Sequence, residues 1–362
     1  MTEVKVALEN GKVFYGKSFG ATGQCCAELV FNTSMTGYQE IMTDPSYAGQ
    51  AVLMTYPLIG NCGINSQDCE SDNFFLRALL VKEFSPVASC WRSESPLEDY
   101  MRAHDILGVQ GIDTRALTKL IRIEGAIKIA VSTDDTGEKA LVEKARLAPG
   151  LSDKDLVKKV TCKKPYIYNR DGRYKIAVLD YGVKKSILER FKHKGCAIKV
   201  FSADSSKDEI LSYKPDGLVF SNGPGDPAVV VYAIKTARQL IGRLPVLGIC
   251  LGHQIIALAL GAKTYKLKFG HHGGNHPVKE LRTGRCYITS QNHGFCVDPA
   301  SLHRTDVEIT HINLNDNTPE GLYSKKLCFL TMQFHPEAGP GPNDAIGLFD
   351  NFIDMMKGTF NA

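Results

Sequence analysis

The chain has one tryptophan in 362 residues and no strong imbalance of charge, with 43 Lys and Arg against 39 Asp and Glu for a formal +4. No apolar run approaches the ~18 residues that a membrane-spanning helix needs. No stripe of interleaved basic and aromatic residues suggests a nucleic-acid surface. Neither a membrane nor a nucleic acid is therefore expected as a partner. There is no C-x-x-C pair, and the 11 cysteines are odd in number and irregularly spaced. That pattern argues against a disulfide framework and for reduced thiols in a cytoplasm. The opening MTEVKVALENGKVF lacks a basic start followed by an apolar core, so no secretory signal is expected. No internal repeat is visible either. What is present is ordinary globular composition, 43% hydrophobic and 23% charged with 33 Gly and 16 Pro, in a length that suits two domains.

The first 150 residues read as short strands and turns followed by some helix. Val4 to Leu8 alternates, Asn10-Gly11 is a hairpin turn, and Lys12 to Tyr15 returns. Ala27 to Asn32 and Ala51 to Met54 are further strands. Ser95 to His104 is expected to be a helix capped by Ser95 with Pro96 in its first position. Thr114 to Glu124 places Leu117, Leu120 and Ile121 on one helical face behind Asp113 or Thr114 as cap. Residues 151–173 are charged and turn-rich and read as a linker. From 174 to 362 short apolar strands alternate with helices. This is the pattern of a mostly parallel, doubly wound α/β sheet, with Ile346, Phe349, Ile353 and Met356 on one face of a closing helix. The fold class is thus α/β, with a smaller β-rich or α+β domain in front.

Three tempting motifs fail on context. Gly11-Lys12-Val13-Phe14-Tyr15-Gly16-Lys17-Ser18 satisfies G-x-x-x-x-G-K-[ST], but its variable positions are strand-like and no helix can open after Phe19-Gly20. His271, His272 and His276 sit in FGHHGGNHP, read as a Gly-rich loop without a nearby acidic partner, so no metal is expected. Asn32-Thr33-Ser34 is a glycosylation sequon, which has no meaning without secretion.

The strongest signal is Gly248-Ile249-Cys250-Leu251-Gly252, between a buried strand and a helix. It has the G-x-nucleophile-x-G form of a nucleophile elbow with Cys in the central position. The flanking glycines relieve crowding around a strained backbone, and the thiol is held at the carboxyl edge of the sheet, where α/β proteins bind ligands. A helix N-terminus favours an anion there, and the Leu251 N–H faces the same space as an oxyanion donor. A thiol nucleophile needs a base and the base an orienter. His335, ending the strand-like LCFLTMQF in Gln333-Phe334-His335-Pro336-Glu337, can reach that edge, with Glu337 placed to hold its ring. His253, one helical turn after Cys250, is a rival base that periodicity does not exclude. Two loops complete a pocket: Ser221-Asn222-Gly223-Pro224-Gly225-Asp226-Pro227 and Ser290-Gln291-Asn292-His293-Gly294-Phe295.

Together GICLGHQ, SNGPGDP, SQNHGF and QFHPE resemble the triad-type, class I glutamine amidotransferases. NTSMTGYQEIMTDPSYAGQ, TYPLIGNCGIN, GIDTRALTKLIR and FGHHGGNHPV narrow the likeness to the small, glutamine-hydrolysing subunits of carbamoyl phosphate synthetases, over essentially the whole chain. Residues 61–73, with Cys62 and Cys69, match less closely. The resemblance implies Cys250 as nucleophile, His335 as base and Glu337 as orienter. It implies a pocket for L-glutamine made by Ser46, Gly223, Gly225, Leu251, Gln254, Asn292, Gly294 and Phe295. Ser46 belongs to the first domain, so that pocket is expected where the domains meet. It further implies no cofactor in this chain. ATP, magnesium and bicarbonate would act on a separate, large synthetase subunit that receives the ammonia for carbamoyl phosphate, in arginine or pyrimidine biosynthesis. Two other readings stay open on residues alone: a stand-alone cysteine hydrolase acting on γ-glutamyl amides, and a catalytically silent binding subunit that kept the fold.

Overall fold

The computed structural model describes residues 2–152 and 154–360. The chain divides into two compact units, Met1–Leu151 with Lys268–Gly273, and Ser152–Leu267 with Gly274–Ala362. Among the described residues no helix is long and apolar enough to cross a membrane.

The first unit is a closed barrel. Its strands are β1 (Glu3–Leu8), β2 (Val13–Ser18), β3 (Gln24–Asn32), β4 (Gln50–Met54), β5 (Ala78–Leu80), β6 (Leu107–Gln110) and β7 (Ile127–Ser132). Around the barrel they follow the order β1-β2-β6-β5-β4-β3-β7. The β1–β2 turn closes through the Gly11 N–H on the Leu8 carbonyl, 2.9 Å, with Gly11 at φ +96°. Because β2 pairs antiparallel with β1 throughout the P-loop-like stretch, its backbone is committed to the ladder and no phosphate cradle forms. Alternate side chains of the strands, including Val4, Val6, Leu29, Leu53 and Ile129, fill the barrel. Helix Thr114–Glu124 adds Leu117, Leu120 and Ile121 to the same core. Its cap is Asp113, whose Oδ1 accepts from the Ala116 N–H at 2.9 Å. The other expected cap is corrected: the helix runs Leu97–Ala103 and Pro96 is its N-cap. Ser95 is instead drawn into an extended bridge, its carbonyl accepting from the Ile64 N–H at 2.9 Å.

The second unit is built on a ten-stranded sheet. The strands are β8 (Tyr166–Asn169), β9 (Tyr174–Asp180), β10 (Cys196–Ser202), β11 (Gly217–Phe220), β12 (Val246–Ile249), β13 (Thr264–Glu280), β14 (Cys286–Val297), β15 (Glu308–Asn313), β16 (Pro319–Ser324) and β17 (Phe329–Met332). In space they run β8-β10-β9-β11-β12-β17-β16-β15-β13-β14. The central run β10-β9-β11-β12-β17 is parallel, and the registered pairs outside it are antiparallel. Alternation along β9 shows how the sheet is covered on both faces. Ile176 and Val178 pack with helices Lys185–His193 and Leu348–Lys357, whereas Ala177 and Leu179 pack with Val231–Leu240 and Leu251–Ala259. The last helix begins after Ile346 and buries Leu348, Phe349, Phe352, Ile353 and Met355, so its apolar face is wider than the expected four residues.

Two loop assignments are corrected. FGHHGGNHP lies inside β13, and SQNHGF lies inside β14. Their Gly and His content reads as loop, yet each segment belongs to a long strand of 17 and 12 residues whose ladder supplies the order that local propensity lacks.

Candidate active site

At the end of β12 the chain turns directly into helix Leu251–Ala259, and Cys250, between them, takes φ 52° and ψ −103°. A side chain in that conformation is costly unless its surroundings over-determine it. They do. The Cys250 N–H donates to the Met332 carbonyl of β17 at 2.8 Å, and the Gly252 N–H donates to the Ser221 carbonyl at 3.0 Å. Gly252 must be glycine, since a Cβ there would lie 2.0 Å from the Phe220 carbonyl oxygen. The thiol is 2% exposed, and its Sγ points at the Asn292 carbonyl, 3.6 Å away.

His335 follows β17 and is tied to β14 by its N–H on the Ser290 carbonyl, 2.9 Å. Its Nδ1 is 2.6 Å from Glu337 Oε1, and Nε2 is buried. Burial alone would push the imidazole toward its neutral form. The Glu337 carboxylate and then the Cys250 charge outweigh burial and hold the ring up, at about 10. The Glu337 carboxyl group is likewise buried, which by itself would raise it. The Lys184 ammonium, followed by His335, keeps it down at about 2. Lys184 carries no signal in the sequence reading, yet it is 1% exposed and its Nζ sits 3.0 Å from Glu337 Oε1, with a second short hydrogen bond to the Ala338 carbonyl. A lysine inside the apolar β9-to-helix connection was the available clue. Three groups able to carry charge, Lys184, Glu337 and His335, thus form a buried line that leads to the thiol.

His253 stands elsewhere. It is fully buried, its Nδ1 lies 2.8 Å from Thr331 Oγ1, and burial pushes its pKa down to about 3, which makes it a neutral core histidine.

The remaining expected residues are distributed as follows. Gly223 lies in the loop after β11, where a Cβ would come within 2.2 Å of the Tyr181 carbonyl, so the loop can only approach that backbone as glycine. Ser221 and Asn222 brace the same loop: Ser221 Oγ accepts from the Tyr181 N–H at 2.9 Å, and Asn222 Nδ2 donates to the Gly182 carbonyl at 2.9 Å. Gly225 has φ +86° and lies beside Leu156. Leu251 opens the helix after the elbow. Gln254 Nε2 donates to the Phe295 carbonyl at 2.7 Å and to Gln333 Oε1 at 3.0 Å. Asn292, Gly294 and Phe295 follow one another on β14, with open space around Gly294. Ser46 is in the first unit, buried in the short turn Pro45–Tyr47, where its N–H donates to Asp44 Oδ1 at 2.8 Å. Its assignment to the glutamine pocket rests on the resemblance alone.

Chemically, the arrangement offers the buried Cys250 sulfur beside a protonated imidazole, at the start of a helix. That is equipment for acyl transfer.

Comparison with known proteins agrees along the whole chain. Residues 177–355 match the family described as glutamine amidotransferase class-I, and residues 6–131 match the carbamoyl-phosphate synthase small chain, CPSase domain. The chain is 51% identical to the carbamoyl phosphate synthase small chain of Syntrophotalea carbinolica, covering 97% of both sequences. It is 49% identical to that of Aquifex aeolicus, covering 98% of both. It is 47% identical to the pyrimidine-specific small chain of Bacillus subtilis, covering 98% of this chain and 96% of the relative. A barrel unit followed by a class I amidotransferase sheet, matched end to end by such relatives, places this chain in the carbamoyl phosphate synthase small-chain family.

Proposed function

We propose that this chain is the glutaminase subunit of a carbamoyl phosphate synthase, hydrolysing L-glutamine to glutamate and ammonia through a thioester on Cys250. The observation that carries the reading is the strained Cys250 elbow beside the buried His335–Glu337 pair. The Cys250 thiolate, whose proton His335 holds, attacks the side-chain amide carbon of glutamine. The oxyanion that forms is held by backbone N–H groups of Leu251 and the Gly223 loop. His335, kept protonated by Glu337 and backed by Lys184, gives its proton to the departing nitrogen, and ammonia leaves. The neutral imidazole then takes a proton from water and hydroxide attacks the thioester; glutamate departs with its acid proton lost to solvent, and the Cys250 thiolate and His335 imidazolium are restored. Gly225, Gln254, Asn292, Gly294 and Phe295 are the pocket residues of this reading.

The half-reaction needs no cofactor in this chain. ATP, magnesium and bicarbonate belong to a large synthetase subunit, the partner that consumes the ammonia, and both chains would work in the cytoplasm. The test is ammonia and glutamate release from glutamine by the purified chain, alone and with the large subunit, ATP and bicarbonate. Stimulation by the partner is expected. Full turnover without it would favour a stand-alone hydrolase, and no turnover in either state would refute the reading.

A further inference from the structure

Gln291 and His293 alternate with Asn292 along β14, so their side chains lie on the opposite face from its own. There they join a buried hydrogen-bond chain that the mechanism above does not use. It begins at Glu320 on β16, fully buried, whose two carboxyl oxygens accept from Gln291 Nε2 at 3.1 Å and Asn313 Nδ2 at 2.9 Å. Gln291 Oε1 then faces His293 Nε2 at 2.9 Å, and His293 Nδ1 faces the Phe295 carbonyl at 2.8 Å. The Phe295 carbonyl also receives Gln254 Nε2, which reaches Gln333.

Two acceptors face the NH2 end of the Gln291 amide: Glu320 Oε2, and Thr289 Oγ1 at 3.2 Å, whose own proton goes to the His276 carbonyl. They turn Gln291 Oε1 toward His293. A carbonyl can only accept, so His293 must donate at Nδ1 to Phe295 and at Nε2 to Gln291. Glu320 is thus the carboxylate of the two acceptors that hold the Gln291 amide in the sense that meets His293. With a group at 320 that can also donate, Thr289 Oγ1 alone holds that sense, and the His293 bond to Gln291 is weakened.

We propose that Glu320 is a positioning residue. Through Gln291 and His293 it fixes the end of β14 that presents Gly294 and Phe295 to glutamine. The inference rests on the glutaminase reading for its functional consequence. Cys250 and His335 meet β14 at the Asn292 and Ser290 carbonyls, ahead of Gly294, and are held besides by the Met332 carbonyl and by Glu337, so the predicted loss falls on substrate binding more than on chemistry.

The test uses the full chain with the nearly isosteric Glu320→Gln substitution, and with Glu320→Gln combined with Gln291→Glu. The double exchange restores an acceptor opposite His293 Nε2 and a donor–acceptor match between the two positions. Glu320→Gln should raise KM for glutamine at least about tenfold with a much smaller change in kcat, as expected for a misplaced binding segment. The double exchange should bring KM back to within about threefold of wild type, a rescue that a merely structural role would not produce. An unchanged KM in the single variant, or no rescue in the double, overturns the proposal. Histidine-labelled NMR reads the same point without turnover: both His293 ring N–H protons should be observed in wild type and at least one lost in Glu320→Gln. Wild-type protein that fails to hydrolyse glutamine would sink the glutaminase reading. The NMR signals would then decide the hydrogen-bond assignment, and their absence in wild type overturns it.

Discussion

Replacing Glu337 by Gln separates charge from shape at the most heavily coupled point of the site. The side chain keeps its length, and an amide oxygen can still occupy the position of Oε1, 2.6 Å from His335 Nδ1 and 3.0 Å from Lys184 Nζ. Ring orientation and tautomer should therefore survive. What disappears is the negative charge, the largest influence raising the His335 pKa against burial. A hydrogen bond to a charged group contributes about 1.5–3 kcal/mol against about 1 for a neutral pair. The difference, about 0.5–2 kcal/mol, converts at 1.36 kcal/mol per decade into a kcat lowered about 2- to 30-fold.

The pH profile carries a sharper signature. In the wild type the imidazole stays protonated up to about 10, so a rate that needs imidazolium holds through neutrality and falls only as pH rises through that value. Without the carboxylate, burial dominates and the pKa drops, so the falling limb should move down by more than about one unit. Lys184 is then left as a buried cation with weakened compensation. Breaking a buried pair by removing one partner costs about 3–5 kcal/mol, which bounds the loss of stability because the Ala338 carbonyl remains. The assay is kcat and kcat/KM for glutamine across pH, with thermal unfolding recorded alongside. A folded variant with wild-type kcat, or a basic limb that does not move, would refute the assignment of Glu337 as the group that charges His335.

Cys250→Ser should abolish glutamine hydrolysis with unfolding behaviour preserved, and a glutamine-shaped electrophile should label wild type once, at Cys250, by peptide mass mapping. His335→Asn should cut kcat by about three orders of magnitude or more. His253→Asn should spare kcat and lower stability by about 1–3 kcal/mol through the lost Thr331 bond, measured by denaturant unfolding. Gly252→Ala should reduce activity far more than its size suggests, because its Cβ would sit 2.0 Å from the Phe220 carbonyl and push the elbow out of place. Wild-type kinetics in that variant would mean the helix can shift without moving the thiol.

What could be read from the sequence was whatever is encoded locally. The elbow is five consecutive residues, a motif legible even though the crowding that requires Gly252 comes from Phe220 on β11, and His335 and Glu337 are two residues apart. Helix Thr114–Glu124 announces itself through its cap and its apolar period. Contacts between distant positions were not legible. Lys184 meets Glu337 across 153 positions, and Glu320 meets Gln291 across 29. Strands β13 and β14 were missed as strands because their Gly and His residues have weak intrinsic preference and take their order from the ladder. The stretch 151–173 similarly hides β8, an edge strand whose Tyr166 and Ile167 are exposed and give no apolar alternation to detect.

The central claim is that Cys250 carries the γ-glutamyl group during turnover. Acid-quenching the enzyme under saturating glutamine and mapping the peptides by mass spectrometry tests it most directly. The account predicts a γ-glutamyl thioester on the peptide bearing Cys250, absent from Cys250→Ser. Glutamine hydrolysis that persists in Cys250→Ser, or an adduct on any other cysteine in its place, would contradict it.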